Sequence, residues 1–121
     1  MAKHLITGKK GEEIAKNYLE SNGYTILETN WRYKKAEIDI IAMDKEIMVF
    51  VEVKTRSYTS FGAPEEFVTH QKEQMMMDAA GVYTHQVQHE WEIRFDIISI
   101  VSKGSFHELK HFKDAFFEGW G

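Results

Sequence analysis

One stretch, residues 37–54, restricts the fold of this chain more than any other. It reads Glu-Ile-Asp-Ile-Ile-Ala-Met-Asp-Lys-Glu-Ile-Met-Val-Phe-Val-Glu-Val-Lys. Its second half, Ile47 to Lys54, is apolar and β-branched at strand length. Its first half, Glu37 to Ala42, sets acids among Ile and Ala. Asp44-Lys45 between them predicts a tight turn, hence a β-hairpin. With that turn, Met43 pairs with Glu46, Asp39 with Phe50, and Glu37 with Glu52. Paired residues share a sheet face, as do residues i and i+2. Glu37, Asp39 and Ile41 then lie on the face of Phe50, Glu52 and Lys54. Ile38, Ile40, Val49, Val51 and Val53 cover the other.

Carboxylates crowded on one face repel, so this arrangement needs compensation. As diagonal neighbours, Asp39 and Glu52 have Cα atoms about 7–8 Å apart, close enough for their tips to share one divalent cation. A hard cation such as Mg²⁺ takes a few carboxylates plus water and leaves positions open for phosphate. It acidifies bound water and neutralises charge on a phosphoryl oxygen. Lys54, two residues from Glu52, is placed to orient or deprotonate that water, or to stabilise the transition state. The same strands also read as an ordinary hairpin with a solvated polar face. What favours the first reading is the convergence of Glu37, Asp39, Glu52 and Lys54, with Glu12 as one further acidic partner.

At 121 residues and 43% hydrophobic content, residues 1–121 form one domain with a real core. No apolar run approaches membrane-spanning length, so no membrane association is expected. The N-terminal residues lack the apolar core of a signal peptide. There are no cysteines, which excludes disulfides and thiolate metal sites. A cytoplasmic location is the expectation. The net charge of −4 is unlike that of a general nucleic-acid binder. However, screening over about 8–10 Å makes the local patch matter more than the total. Basic residues do cluster: Lys3, His4, Lys9 and Lys10, then Arg32, Lys34 and Lys35 before the hairpin, then Lys54 and Arg56 at its end.

Residues 7–22 predict a helix, with Thr7 as N-cap and Asn22-Gly23 as the stop. Ile14, Ala15, Tyr18 and Leu19 form its apolar stripe, and Glu12 lies at the stripe's edge. Tyr24 to Arg32 alternates as a strand, with Trp31 as core or rim packing. Ser57 to Ala63 reads as a loop, and Pro64 as the first position of a helix over residues 65–84. Val68, Met75, Ala79 and Val82 make the apolar stripe of that helix. Gln71 and Lys72, one turn from Val68, face the carboxylates if the helix packs beside them. Trp91 to Val101 is a further strand, Lys103-Gly104 a turn, and residues 106–117 one last element. This element contains His107-Glu108-Leu109-Lys110-His111, a formal zinc-protease pattern. Its position after a strand and turn, and the few residues left for a third ligand, make the match a coincidence.

The order helix, three strands, helix, strand, with Glu in the first helix and then Asp and Glu-Xaa-Lys on consecutive strands, resembles the PD-(D/E)XK nuclease superfamily. Closer still, the chain resembles the small bacterial YraN-type family of predicted endonucleases. The likeness rests on Gly11-Glu12 followed by Ala15 and Tyr18-Leu19, on Gly23-Tyr24-Thr25-Ile26-Leu27, Asn30-Trp31-Arg32, Glu37-Ile38-Asp39, Val49 to Arg56, Phe61-Gly62, Lys72, Arg94-Phe95-Asp96 and Asp114-Ala115-Phe116. Ile38 stands where the superfamily name has proline, and Ala36 where the closer family usually has glycine.

The resemblance implies an α/β, restriction endonuclease-like αβββαβ core, a central mixed sheet of about four strands flanked by helices. It implies Asp39 and Glu52 as ligands of Mg²⁺ or Mn²⁺, Lys54 as the catalytic lysine and Glu12 as an added helix carboxylate. Arg32, Lys34, Lys35, Arg56 and Lys72 are the expected nucleic-acid contacts, with Glu37 and Gln71 as accessory groups. The expected activity is hydrolysis of DNA phosphodiester bonds, including branched or Holliday junction DNA, by a chain that can form a homodimer. The alternative is a non-catalytic nucleic-acid-binding module, whose binding would be salt-dependent and indifferent to EDTA. A structural or protein-interaction domain would have no nucleic-acid affinity at all.

Overall fold

A computed structural model describes residues 7–57 and 69–116. The elements are α1 (Gly8–Ser21), β1 (Thr25–Tyr33), β2 (Ala36–Asp44), β3 (Ile47–Ser57), α2 (His70–Gln86), β4 (Ile93–Lys103) and β5 (Phe106–Phe112). They form an α/β fold with one mixed sheet in the order β1-β2-β3-β4-β5. All neighbours are antiparallel except β3 and β4, which α2 connects in parallel. The expected αβββαβ core is present. The sheet has five strands rather than four, because residues 106–112 add an antiparallel edge strand to β4.

Both helices start as their chemistry dictates. The Thr7 hydroxyl accepts from the Lys10 N–H, and Thr69 does the same for Lys72, each at 3.1 Å. The sheet is covered on both faces, which is why β3 and β4 read as nearly continuous apolar runs. Ala15 and Leu19 of α1 pack with Tyr24, Ile40, Ala42, Val49, Val51, Ile98 and Ile100. Met76, Ala79, Ala80 and Tyr83 of α2 pack with Ile38, Ile41, Phe50, Phe95 and Ile97 on the other side.

Three expectations are corrected here. The hairpin turns at Lys45-Glu46, with Lys45 in the left-handed region (φ 58°), so Asp44 faces Ile47 and Ile41 faces Phe50. Neither Asp39–Phe50 nor Glu37–Glu52 is a pair, because the register lies two residues from the predicted one. Ile38 does not share a face with Ile40; the two belong to opposite cores. Regular alternation fails where β1 carries Asn30 at φ 54°, between the Thr29–Ile40 and Trp31–Ile38 pairs. The buried stripe of α2 is Glu73, Met76, Ala79, Ala80 and Tyr83, so Met76 replaces Met75 as its deepest methionine and Val82 is only partly buried. Residues 58–68, with the loop beyond Ser57, Gly62, Pro64 and Val68, lie outside the described residues. The His107–His111 pattern falls on β5, where His107 is exposed and His111 is engaged elsewhere. Among the described residues no helix is long and apolar enough to cross a membrane.

A buried polar network ties the α1 side together. Asp96, fully buried, accepts two bonds from Arg94 at 2.9 Å, one from His111 at 2.7 Å and the Asp114 N–H at 3.0 Å. Arg94 also reaches Asp44 and the Tyr24 hydroxyl, and the Tyr18 hydroxyl meets His111. Burial pushes the Asp96 carboxyl up, but these partners outweigh it and hold it below the usual carboxylate range.

Gly11 sets how closely α1 approaches β3. A Cβ there would run into Thr55 Oγ1, and it would also sit 3.1 Å from the threonine Cβ, which no side-chain rotation moves away. In α2, nothing among the described residues lies within 4 Å of such a Cβ at Gly81. Gly11→Ala is expected to lower unfolding free energy by about 1–3 kcal/mol through overpacking. Gly81→Ala should raise it by roughly 0.5–1 kcal/mol through helix propensity. Urea denaturation of both variants checks the pair; equal effects would contradict the packing described.

Candidate active site

The β2–β3 ladder runs from Asp44–Ile47 to Ile40–Val51. Beyond that point the strands part, β2 staying with β1 and β3 with β4. Asp39 stands at this fork. Its Oδ2 accepts the Val53 N–H at 2.8 Å, so a side chain meets a backbone donor of the neighbouring strand. The carboxyl is buried. Burial, then the negative charge of Glu52, push its pKa from 3.8 up to about 7; the Val53 bond pulls against them, and Glu12 and Glu37 add further repulsion.

Glu52 comes from the face of β3 that packs beneath α2. It is buried, and its Oε2 faces two ammonium groups, Lys72 at 2.7 Å and Lys54 at 3.3 Å. Lys54 follows Glu52 by two residues on the same strand face, as the sequence predicted. Lys72 reaches over from the first turn of α2, the position that lets it face the carboxylates. Burial lowers the Lys72 pKa, but Glu52 and then Asp39 more than offset this, and the ammonium is held above the usual lysine range. Ser99, beside Lys54 in the parallel ladder, is buried, and its hydroxyl has no hydrogen-bond partner among the described residues.

Glu12 comes from α1, which Gly11 allows to lie close to β3. Its Oε1 accepts from Asn30 Nδ2 at 2.9 Å. The expectation of a regular strand gives Asn30 no role beyond its place in the Asn30-Trp31-Arg32 motif. The available signal was its residue type, since asparagine tolerates the left-handed region far better than most residues. Its backbone bend and its hold on Glu12 occur at the same position.

The remaining expected residues surround this cluster unevenly. Glu37 pairs with Arg32 at 3.5 Å on the β1–β2 hairpin, and Arg32 is largely exposed. Lys34, at φ 56°, lays its ammonium 5.3 Å from the Tyr33 ring. Lys35, Glu37, Gln71 and Lys72 line a common cleft between that hairpin and α2. Arg56 lies two residues beyond Lys54 on β3, opposite Val101.

Among the described residues no three His, Asp or Glu side chains form a ready-made cage for an ion. The donors at the fork are nevertheless those Mg²⁺ uses, since this ion is commonly held by one or two carboxylates while keeping several waters. The buried, mutually repelling Asp39 carboxyl carries the fit, because a cation at the fork relieves that repulsion.

The raised Asp39 pKa sets a direction for stability. The folded protein binds this proton more tightly than the unfolded chain, so stability falls as pH rises from about 4 to about 7. Above pH 7 the penalty is fully present, on the order of 2–4 kcal/mol without divalent ions. Asp39→Asn should therefore be more stable than the wild type at pH 8, with the gap closing towards pH 4. Urea midpoints across this range test it, and a gap that does not change with pH contradicts it.

The model of the uncharacterised protein family UPF0102 matches residues 11–100. That interval contains Glu12, Asn30, Asp39, Glu52, Lys54 and Lys72. A UPF0102 protein of Flavobacterium psychrophilum is 46% identical over 117 residues, covering 97% of this chain and 98% of its own length. One from Bacteroides fragilis is 41% identical over 117 residues, covering 97% of each chain. One from Thermodesulfovibrio yellowstonii is 42% identical over 110 residues, covering 91% of this chain and 95% of its own. The family match and these nearly full-length relatives agree: the chain belongs to the UPF0102 family.

Proposed function

We propose that this chain is a metal-dependent endonuclease of the PD-(D/E)XK type, close to YraN-type proteins, that hydrolyses DNA phosphodiester bonds in the cytoplasm. The observation that carries the reading is the placement of the Asp39 carboxyl, buried at the fork on the Val53 N–H with Glu52, Glu12 and Glu37 as acidic neighbours. Structural salt bridges do not need a buried acid among other acids, whereas a cation site does.

Asp39 and Glu52 would hold the ion, with Glu12 oriented by Asn30 from the α1 side. When bound, Mg²⁺ or Mn²⁺ supplies charge neutralisation at phosphoryl oxygens and lowers the pKa of water. Lys54, an ammonium anchored on β3 beside Glu52, orients the attacking water and offsets charge developing on the phosphate. Arg32, Lys34, Lys35, Arg56 and Lys72 contact phosphates without reading bases. Symmetric cutting of junction DNA would place two such sites in a homodimer.

A non-catalytic nucleic-acid-binding module is the second reading. The observation in its favour is that Lys72 and Lys54 already neutralise Glu52 without an ion.

The test is incubation of the purified protein with branched and plasmid DNA and Mg²⁺ or Mn²⁺. Cleavage is expected, abolished by EDTA and reduced at least about 100-fold by Lys54→Ala or Asp39→Asn. Salt-dependent binding without product, unchanged by EDTA, supports the second reading instead. Cleavage by the wild type that matches the variants overturns the assignment of residues.

A further inference from the structure

We propose that Lys72 is a displaceable internal cation: it holds Glu52 in the metal-free protein, competes with the divalent ion for that carboxylate, and is released towards the substrate phosphate when the ion binds. This rests on the reading of Asp39 and Glu52 as a divalent-ion site.

The geometry distinguishes the two lysines. Both point at the same oxygen, Glu52 Oε2, but Lys72 is the nearer, at 2.7 Å against 3.3 Å. Lys54 shares a strand face with Glu52, two residues away on the same element. Lys72 comes from a different element, and its side chain is 39% exposed, against 25% for Lys54 and 5% for Glu52. It therefore has open solvent to withdraw into, whereas Glu52 does not. An ammonium and a divalent ion on one carboxylate oxygen repel at close range, and the buried setting screens them poorly. Of the two lysines, Lys72 is the one with more room to withdraw.

Release has a direction. Lys72 lines the cleft it shares with Lys35, Glu37 and Gln71. An ammonium leaving Glu52 thus enters the groove between the β1–β2 hairpin and α2, within reach of an anion arriving there. Loading the ion and freeing a phosphate contact become one event. The metal-free protein keeps its site neutralised, and the cost of displacing Lys72 weakens ion binding in the absence of DNA.

The test is Mn²⁺ binding to the full chain without DNA, measured by calorimetry at low ionic strength. Lys72→Met, which keeps the stem and removes the charge, should bind Mn²⁺ about 10-fold more tightly than wild type. Glu52→Gln should lose most of the affinity. On the wild type itself, Mg²⁺ titration followed by NMR of the lysine side chains should move the Lys72 Nζ signal from ion-paired to free, with Lys54 moving less. This measurement stands if the variant fails to fold. Mn²⁺ affinity of Lys72→Met equal to or below that of wild type, or a Lys72 signal unmoved while the ion binds, overturns this inference and leaves the ion site intact. Absence of ion binding in every form overturns both.

Discussion

The local structure depends on where β2 and β3 part. A hairpin that stayed paired to its end would bury its backbone groups in the ladder and turn its acids to one face. Here pairing runs as far as Ile40–Val51, and the Asp39 carboxylate takes the Val53 N–H. That bond anchors an acid between the two faces of the sheet. Glu52 and the two lysines approach from the α2 side, and Glu12 from the α1 side. Without the fork, Glu12 would stand across the sheet from the other acids.

The position of the fork is supported from both sides. Gly11 lets α1 come down on Thr55, which brings Glu12 into electrostatic range of Asp39. Asn30 bends β1 next to the strand that carries Asp39 and holds Glu12. The Asp96–Arg94–His111 network, at the other end of the same core, fixes α1, the β2–β3 turn, β4 and β5 to one another. It satisfies its own charges and is structural. The fork cluster gives the buried Asp39 carboxyl a backbone donor and acidic neighbours where Asp96 has a guanidinium, and that difference is what separates the two buried polar groups.

Much of this was legible from local chemistry. Thr7 and Asn22 bound α1 through capping rules that act within a few residues. The Glu-Xaa-Lys spacing put Glu52 and Lys54 on one strand face, and the placement of Lys72 one turn into the following helix brought it to Glu52. The register slipped by two because Lys45, not Asp44, takes the first turn position in a left-handed conformation that lysine rarely adopts. A slip of two keeps every side chain on its face, so the site survived the error. Ile38 was misassigned because the irregularity at Asn30 and Asp39 has no period to read. Three consecutive methionines allow several buried faces for α2, and only the sheet decides among them. The Asp96 network joins residues far apart in the chain, which no window of sequence brings together.

The central claim is that a divalent ion relieves the burial and acidic crowding that keep the Asp39 carboxyl from ionising at the fork. Titration of the Asp39 carboxyl carbon by NMR, with and without Mg²⁺, tests it directly. The account predicts a pKa near 7 without the ion, falling well below that when Mg²⁺ is present. An ordinary carboxylate value without the ion, or a raised value that Mg²⁺ leaves unmoved, would contradict it.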